Sequence, residues 1–424
     1  MKIAHFKEDI TPPVGHPLCA GWYPVAKAIG ERLSAHGVIL EEDGEAPMVL
    51  CALDWAELSN HEHLRWRESL AKAAGTEADR VTIHCVHNHD SPWPDEEAQA
   101  LLDHHGMPDL IMQREWCHQV RESVAGSVAE AVKRLEVVDQ VRFGKALVQE
   151  LASNRRPLGE DGKVVGVRWT QCREANIRAL PEGDIDPWLW TVSFWQRGKK
   201  LVVLHYYTIH PTSYDGTGIV TNDFVGIARD RLIAEDGVPH IYFTGCAGNI
   251  TAGKYNDGVQ NNRELFTKKI YDAMKAADAA ASDAGVPKLD WRTCEIRLPK
   301  RSDVTDAELM ERIRNEEYPK KASRAALELV YRQRVDSLPV TISALHFGNE
   351  AILLHLPGEA FIEYQLYAQN LRPGTWIGTA AYGDLGPGYI CMENSFEEGG
   401  YEPTDSFCAP ESEKEMKRGI EAII

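Results

Sequence analysis

The sequence predicts an α/β protein in which mixed β-sheets are flanked by helices. Three observations carry this. Short apolar, β-branched runs alternate with stretches of helical periodicity along the whole chain. The neighbouring runs 189–195 and 201–208 flank the turn Gln196-Arg197-Gly198, so hairpins are mixed in and the sheets are not purely parallel. No internal repeat and no Pro/Gly/Ser-rich linker divides the chain, so residues 1–424 read as one domain, although the length would allow two or three.

In chain order, strands are expected at 48–54, 81–87, 140–147, 189–195, 201–208, 240–243, 340–347 and 352–355, each an apolar run of strand length. The clearest helix is 114–135, with apolar residues at helical spacing, and a second spans 222–234. Thr305-Asp306-Ala307-Glu308 reads as a capping box that opens a long, highly charged helix towards Arg334. That helix is expected to be a solvated outer layer without chemistry.

Composition narrows the function. The 43% hydrophobic and 26% charged residues are those of an ordinary globular protein, and no stretch approaches the ~20 apolar residues of a membrane span. A net charge of −18 argues against nucleic acid or an anionic membrane as partner, leaving a small-molecule substrate. Nine singly placed cysteines, with no CxxC pair, fit reduced thiols, and the N-terminus turns acidic too early for a signal peptide. A cytoplasmic location is the expectation. Oligomeric state is not readable.

Five stretches stand out. In "VHNHDSPWP" (residues 86–94), His87 and His89 end an apolar strand two residues apart, on the same strand face. In "LVVLHYYTIHPTSYDG", a second apolar strand delivers His210 before Pro211, while His205, five positions earlier, faces the other way. In "LLHLPGEAF", a Pro-Gly turn after His355 presents Glu359, although a carboxylate after such a turn is more often a helix-start residue. The Tyr- and Gly-rich stretch 380–403 is too apolar for a solvent loop and too irregular for a regular element. The glycine turn of "YFTGCAGNITAG" could offer backbone N–H groups to an anion. Histidines at strand ends serve a metal or simply hydrogen-bond each other, and spacing leaves both readings open.

Six short motifs in order resemble the neutral/alkaline ceramidase family: "DITPPVG" (9–15), "VHNH" (86–89), "NRRP" (154–157), "HPTS" (210–213), "PGE" (357–359) and "GGYE" (399–402). They span almost the whole chain. The resemblance implies an α/β catalytic domain holding a zinc ion on two His, one Glu and one Tyr. Carried over, these are His87, His210, Glu359 and Tyr389; Tyr389 is preferred to Tyr382 because it keeps the twelve-residue step to Tyr401. The resemblance also implies active-site roles for His89, Arg155 and Tyr401. Neutral imidazoles and a carboxylate make an ordinary zinc shell, whose open position holds water with a pKa lowered to about 7. His89 would then relay a proton or hold an oxyanion, with Arg155 and Tyr401 as donors.

The sequence departs from the family at one loop. Where ceramidases read "GDVSPN", this chain reads Gly245-Cys246-Ala247-Gly248-Asn249, so Gly248 replaces the serine and Cys246 the aspartate. Activated water without a covalent intermediate is therefore expected, and Cys246 is expected to be a buried thiol rather than a nucleophile. Gly248 and Asn249 are placed at the substrate side by this loop. Trp22 and Trp93, beside family motifs, offer flat faces suited to sugar rings. The signal peptide and C-terminal β-sandwich of secreted ceramidases are not expected. The leading expectation is a zinc-dependent hydrolase cutting an amide or related acyl bond of a soluble substrate. Its rivals are a zinc-dependent glycan lyase or glycosidase on the same scaffold, and a non-catalytic metal- or ligand-binding protein.

Overall fold

A computed structural model describes residues 1–314 and 318–424. Three sheets make the framework, and each contains one parallel pair among antiparallel neighbours. The first runs in the order Val81–Cys85, Met48–Leu53, Ser34–Glu41, Lys2–Asp9, Glu136–Val137, with only the first two strands parallel. The second runs His240–Thr244, Lys199–Tyr207, Trp188–Gln196, Gln140–Leu147, Ser282–Asp283, again with the first pair parallel. The third runs Leu289–Ile296, Val340–Phe347, Ala351–His355, Trp376–Ala380, with the last pair parallel.

Local chemistry explains these elements. Met48–Leu53 and Val81–Cys85 are buried at every position, as parallel strands covered on both faces require. The hairpin Trp188–Gln196/Lys199–Tyr207 turns through Arg197 and Gly198, both at positive φ (49° and 75°), the two-residue geometry that matches strand twist. Helix Asp223–Asp236 stops at Gly237, whose φ of 69° closes it with a left-handed cap.

The sheets meet end to end. Ala381 N–H donates to Thr244 O (2.9 Å), Cys85 N–H to Tyr382 O (2.9 Å), and Thr244 Oγ1 to Val86 O (2.7 Å). One strand from each parallel pair thus ends at a common place. Just past Cys85 comes Val86-His87, and just past the parallel partners of the other two strands, Lys199–Tyr207 and Ala351–His355, come Thr208–His210 and Leu356–Glu359.

Two expectations are corrected. The capping box forms, with Thr305 N–H and hydroxyl donating to Glu308 and Glu308 N–H returning to Thr305 Oγ1. The helix it opens is described over Asp306–Arg314 and does not run on to Arg334: Tyr318 is non-helical (φ −125°), and a second helix, Pro319–Arg334, starts at a proline, which lacks the N–H to continue one. The expected continuity across 315–317 lies outside the described residues. The second helix is also no solvated layer: its Ala322, Ala325, Ala326 and Leu329 are buried, and Arg332 and Arg334 reach Asp306 and Asp384. Long basic side chains made a core helix look like a surface one. Among the described residues, no helix is long and apolar enough to cross a membrane.

Candidate metal centre

The strand holding "VHNH" stops at Cys85, and His87 takes a left-handed backbone with φ 74°. The two-residue strand alternation expected for His87 and His89 therefore does not apply. They meet because the turn is pinned: His87 N–H donates to Trp55 O (2.9 Å), and Asn88 Nδ2 donates to Asp54 O and Thr221 O. From there His89 Nε2 stands 3.2 Å from His87 Nε2.

His210 arrives from the second sheet. Its Nδ1 faces Ala247 O at 2.8 Å, and His87 Nδ1 faces Ala56 O at 2.9 Å. A carbonyl only accepts, so in both rings Nδ1 carries the hydrogen and Nε2 is a bare lone pair. Those two Nε2 atoms face each other at 3.0 Å. Burial, the neighbouring imidazoles and Arg155 hold both rings well below the ordinary histidine pKa, so neither supplies a proton between them.

Glu359 completes a triangle, its Oε2 lying 3.4 Å from each Nε2. Among the described residues, this buried oxygen has no hydrogen-bond partner. Ligands at 2.0–2.1 Å around a tetrahedral zinc stand roughly 3.3 Å apart, which the 3.0, 3.4 and 3.4 Å edges match. The donor set fits the ion. Glu359 is no helix-start residue: Gly358 (φ 63°) turns the chain, and Glu359–Ala360 pairs in parallel with Tyr389–Ile390, setting Glu359 opposite Tyr389.

Tyr389 lines the same cavity, of about 140 Å³, together with His87, His89, His210, Arg155 and Tyr401. Burial pushes its phenol up, and the Arg155 guanidinium pulls it back. Tyr382 stands elsewhere. Its ring stacks on His87 (centroids 4.3 Å, 25°) and its hydroxyl lies 3.4 Å from Nδ1 of His210, the nitrogen that points away from the triangle.

Arg155 and Arg156 of "NRRP" clasp Glu402 of "GGYE", at 2.7 Å (Nε–Oε1) and 2.6 Å (Nη1–Oε2). All three are buried, so removing Glu402 would leave the Arg155 guanidinium without its ion-pair partner. Among the described residues, the clasp leaves Arg155 Nη2, in the cavity wall, without a hydrogen-bond partner. Tyr401 packs edge-on against Tyr389 at 5.7 Å. Trp22 and Trp93 both reach the cavity, 5.4 Å apart.

Gly248 and Asn249 sit behind this wall rather than on it. A Cβ on Gly248 would fall 2.3 Å from the carbonyl oxygen of Glu359, so the backbone carrying Glu359 occupies the space where a serine side chain would begin. Asn249 faces a neighbouring cleft, accepts from Ile362 N–H, donates to Glu363 and takes Arg155 N–H on its carbonyl, at 2.9, 2.9 and 2.8 Å. It positions the strands of the site. The glycine turn holds no anion: the N–H groups of Gly245, Cys246 and Gly248 donate to Tyr207 O, Gln365 Oε1 and Ala360 O. Cys246 is fully buried off the cavity, and burial raises its thiol pKa.

Several residues escaped the sequence reading. Glu57, buried beside Glu359, lies 3.5 Å from His87 Nδ1, and burial followed by the Glu359 charge pushes its carboxyl up. Asp215 faces His89 Nδ1 at 3.1 Å and accepts from Tyr23 (2.9 Å), leaving His89 Nε2 as the lone pair turned to the centre. Asp215 sits inside the quoted "HPTSYDG" stretch; Glu57 carries no spacing signal, four residues past an ordinary strand.

No protein-family model matches the sequence, and no curated protein matches it. Solved structures do. Neutral ceramidase from Pseudomonas aeruginosa superposes with a TM-score of 0.73 at 16% identity, over 99% of this chain and 73% of that one. A ceramidase complexed with C2 matches with the same score and identity, over 99% and 74%. Across essentially its whole length, this chain has the neutral ceramidase fold.

Proposed function

We propose that the chain is a metal-dependent hydrolase that holds one zinc ion on His87, His210, Glu359 and Tyr389 and cuts an amide or related acyl bond. The observation that carries this is the pair of bare Nε2 lone pairs, 3.0 Å apart in a buried site, with an unpartnered carboxylate oxygen 3.4 Å from both. Without a cation that arrangement is repulsive; with one it is a ligand set. The fold shared with two solved structures named as ceramidase supports an acyl-bond substrate.

When bound, zinc supplies Lewis acidity and an activated water. The protein does the rest. Ala56 O and Ala247 O hold the Nδ1 hydrogens, keeping both imidazoles in the donor tautomer. Asp215 holds the Nδ1 hydrogen of His89, so Nε2 is free to take a proton and pass it to a leaving group. Arg155 Nη2, anchored by Glu402 through Nε, donates to charge developing on the acyl oxygen, with Tyr401 beside it. Trp93, buried against Trp22, keeps bulk water from that side. Gly248 offers no nucleophile and Cys246 is off the cavity, which supports direct attack by water.

Elemental analysis of the purified protein tests the reading. About one zinc per chain is expected. No transition metal as purified, and no uptake on adding zinc, would overturn it.

A further inference from the structure

Among the described residues, the wall around the candidate metal centre contains no aliphatic side chain. Above the histidines it is built from aromatic rings and carboxylates. Trp22 and Trp93 meet at 5.4 Å with a 59° tilt, and Trp169 packs edge-on against Tyr401 at 4.9 Å. Trp169 is 49% exposed, so a large flat face stands at the rim in solvent. Between these rings, Asp215 receives hydrogen bonds from Tyr23 and Thr170, and Arg155 presents its unpartnered Nη2. The cavity is small, about 140 Å³, and closed at the floor by the histidines.

This is a poor seat for a long alkyl chain. Each methylene gains about 0.8 kcal/mol only where apolar wall continues along it, and here the wall ends in charged and hydroxyl groups. It suits a ring with apolar C–H faces and hydroxyls around its edge, stacked on indole and hydrogen-bonded at the rim. A closed pocket also admits one terminal unit, not the middle of a polymer.

Resting on the hydrolase reading, we infer that the substrate is an N-acylated amino sugar with a short acyl group. The ring lies against the tryptophan faces and the acyl carbon points to the floor. In the reaction the oxygen of water bonds to the acyl carbon and the carbon–nitrogen bond breaks. The amine nitrogen keeps the bonding pair and gains a proton, leaving a free amino sugar and a carboxylate. No oxidant or reductant is required.

The zinc-loaded protein is to be incubated separately with N-acetylglucosamine, N-acetylgalactosamine, N-acetylmannosamine, N-acetylethanolamine and detergent-dispersed N-octanoylsphingosine. Acid release is followed by NMR, and zinc is measured on the same samples. At least one sugar is expected to be cleaved with a kcat/KM about 100-fold above both ring-free amides, the preference of a site built around hydroxyl groups. Trp169→Ala, a rim change that leaves the core alone, is expected to raise KM for that sugar far more than it lowers kcat. Cleavage of either ring-free amide in preference to every sugar would overturn the inference and leave the hydrolase reading standing. Zinc uptake with no acyl compound cleaved would overturn both.

Discussion

Two buried histidines, His205 and His210, lie five residues apart on one stretch of chain, and the pairs they form with His240 and His87 behave oppositely. His205, on strand Lys199–Tyr207, faces Thr191 Oγ1 at 2.8 Å through Nδ1 and His240 Nδ1 at 2.8 Å through Nε2; His240 Nε2 then meets Asp236 at 3.1 Å. Assigned from the carboxylate backwards, every nitrogen finds a complement: His240 Nε2–H donates to Asp236, His205 Nε2–H to His240 Nδ1, and the Thr191 hydroxyl to His205 Nδ1. Just beyond the same strand, His210 meets His87 with both Nδ1 hydrogens tied to carbonyls and two lone pairs left face to face. Burial alone does not separate a histidine pair whose nitrogens are all satisfied from one that leaves lone pairs free for a cation. What the second nitrogen of each ring meets does.

The sharpest way to break that distinction is to truncate one member of each pair. His210→Ala should stay folded by circular dichroism yet lose zinc affinity by more than the ~10–100-fold that outer-shell changes cost. Equilibrium dialysis showing unchanged zinc would erase the difference between the clusters. His205→Ala should do the reverse, keeping zinc while losing roughly 2–4 kcal/mol in urea unfolding, because a cavity opens and two polar partners are orphaned.

Gly248→Ala probes the same contrast from the carboxylate side. The new methyl collides with the Glu359 backbone, so a stability loss of about 1–3 kcal/mol should come with weakened zinc binding. A variant that binds zinc like the wild type would mean Glu359 is not a ligand. Tyr389→Phe and Tyr382→Phe sharpen the phenol assignment. The first should lower zinc affinity about tenfold or more and the second leave it nearly unchanged; the opposite ranking would hand the role to Tyr382.

The smallest effect is in pH. Burial lowers the pKa of His205 and His240 below 6.5, so the unfolded chain takes up protons that the folded one refuses. Their contribution to stability is present above pH 6.5 and is lost as pH falls below it. His205→Ala should therefore flatten the acid limb of stability by up to about 1.4 kcal/mol per pH unit, read from urea curves between pH 6.5 and 5. An unchanged slope would mean His205 takes up its proton in the folded state.

Much of this was legible in the chain. Apolar runs of strand length marked the central strands, since a buried strand needs continuous hydrophobic sequence, and the ends of three of them pointed to His87, His210 and Glu359. Prolines and glycines after each run marked where the strands stop. The reason given for His87 and His89 was nonetheless mistaken, because a left-handed residue and not strand alternation brings them together. The charged helix misled in the same way: Arg332 and Arg334 read as solvated until their carboxylate partners, distant in sequence, were in view.

By itself, the sequence determined the α/β class, the strand ends and the residue types capable of holding zinc, because these follow from local hydrophobicity, turn chemistry and the lone pairs a side chain carries. The tertiary structure alone decided which partner each of those atoms meets. It set two lone pairs at 3.0 Å, put Tyr389 rather than Tyr382 in the cavity wall, brought in Glu57 and Asp215, and closed the space beside Gly248. Tautomer, protonation and reach depend on contacts between residues up to hundreds of positions apart, and no local pattern encodes those.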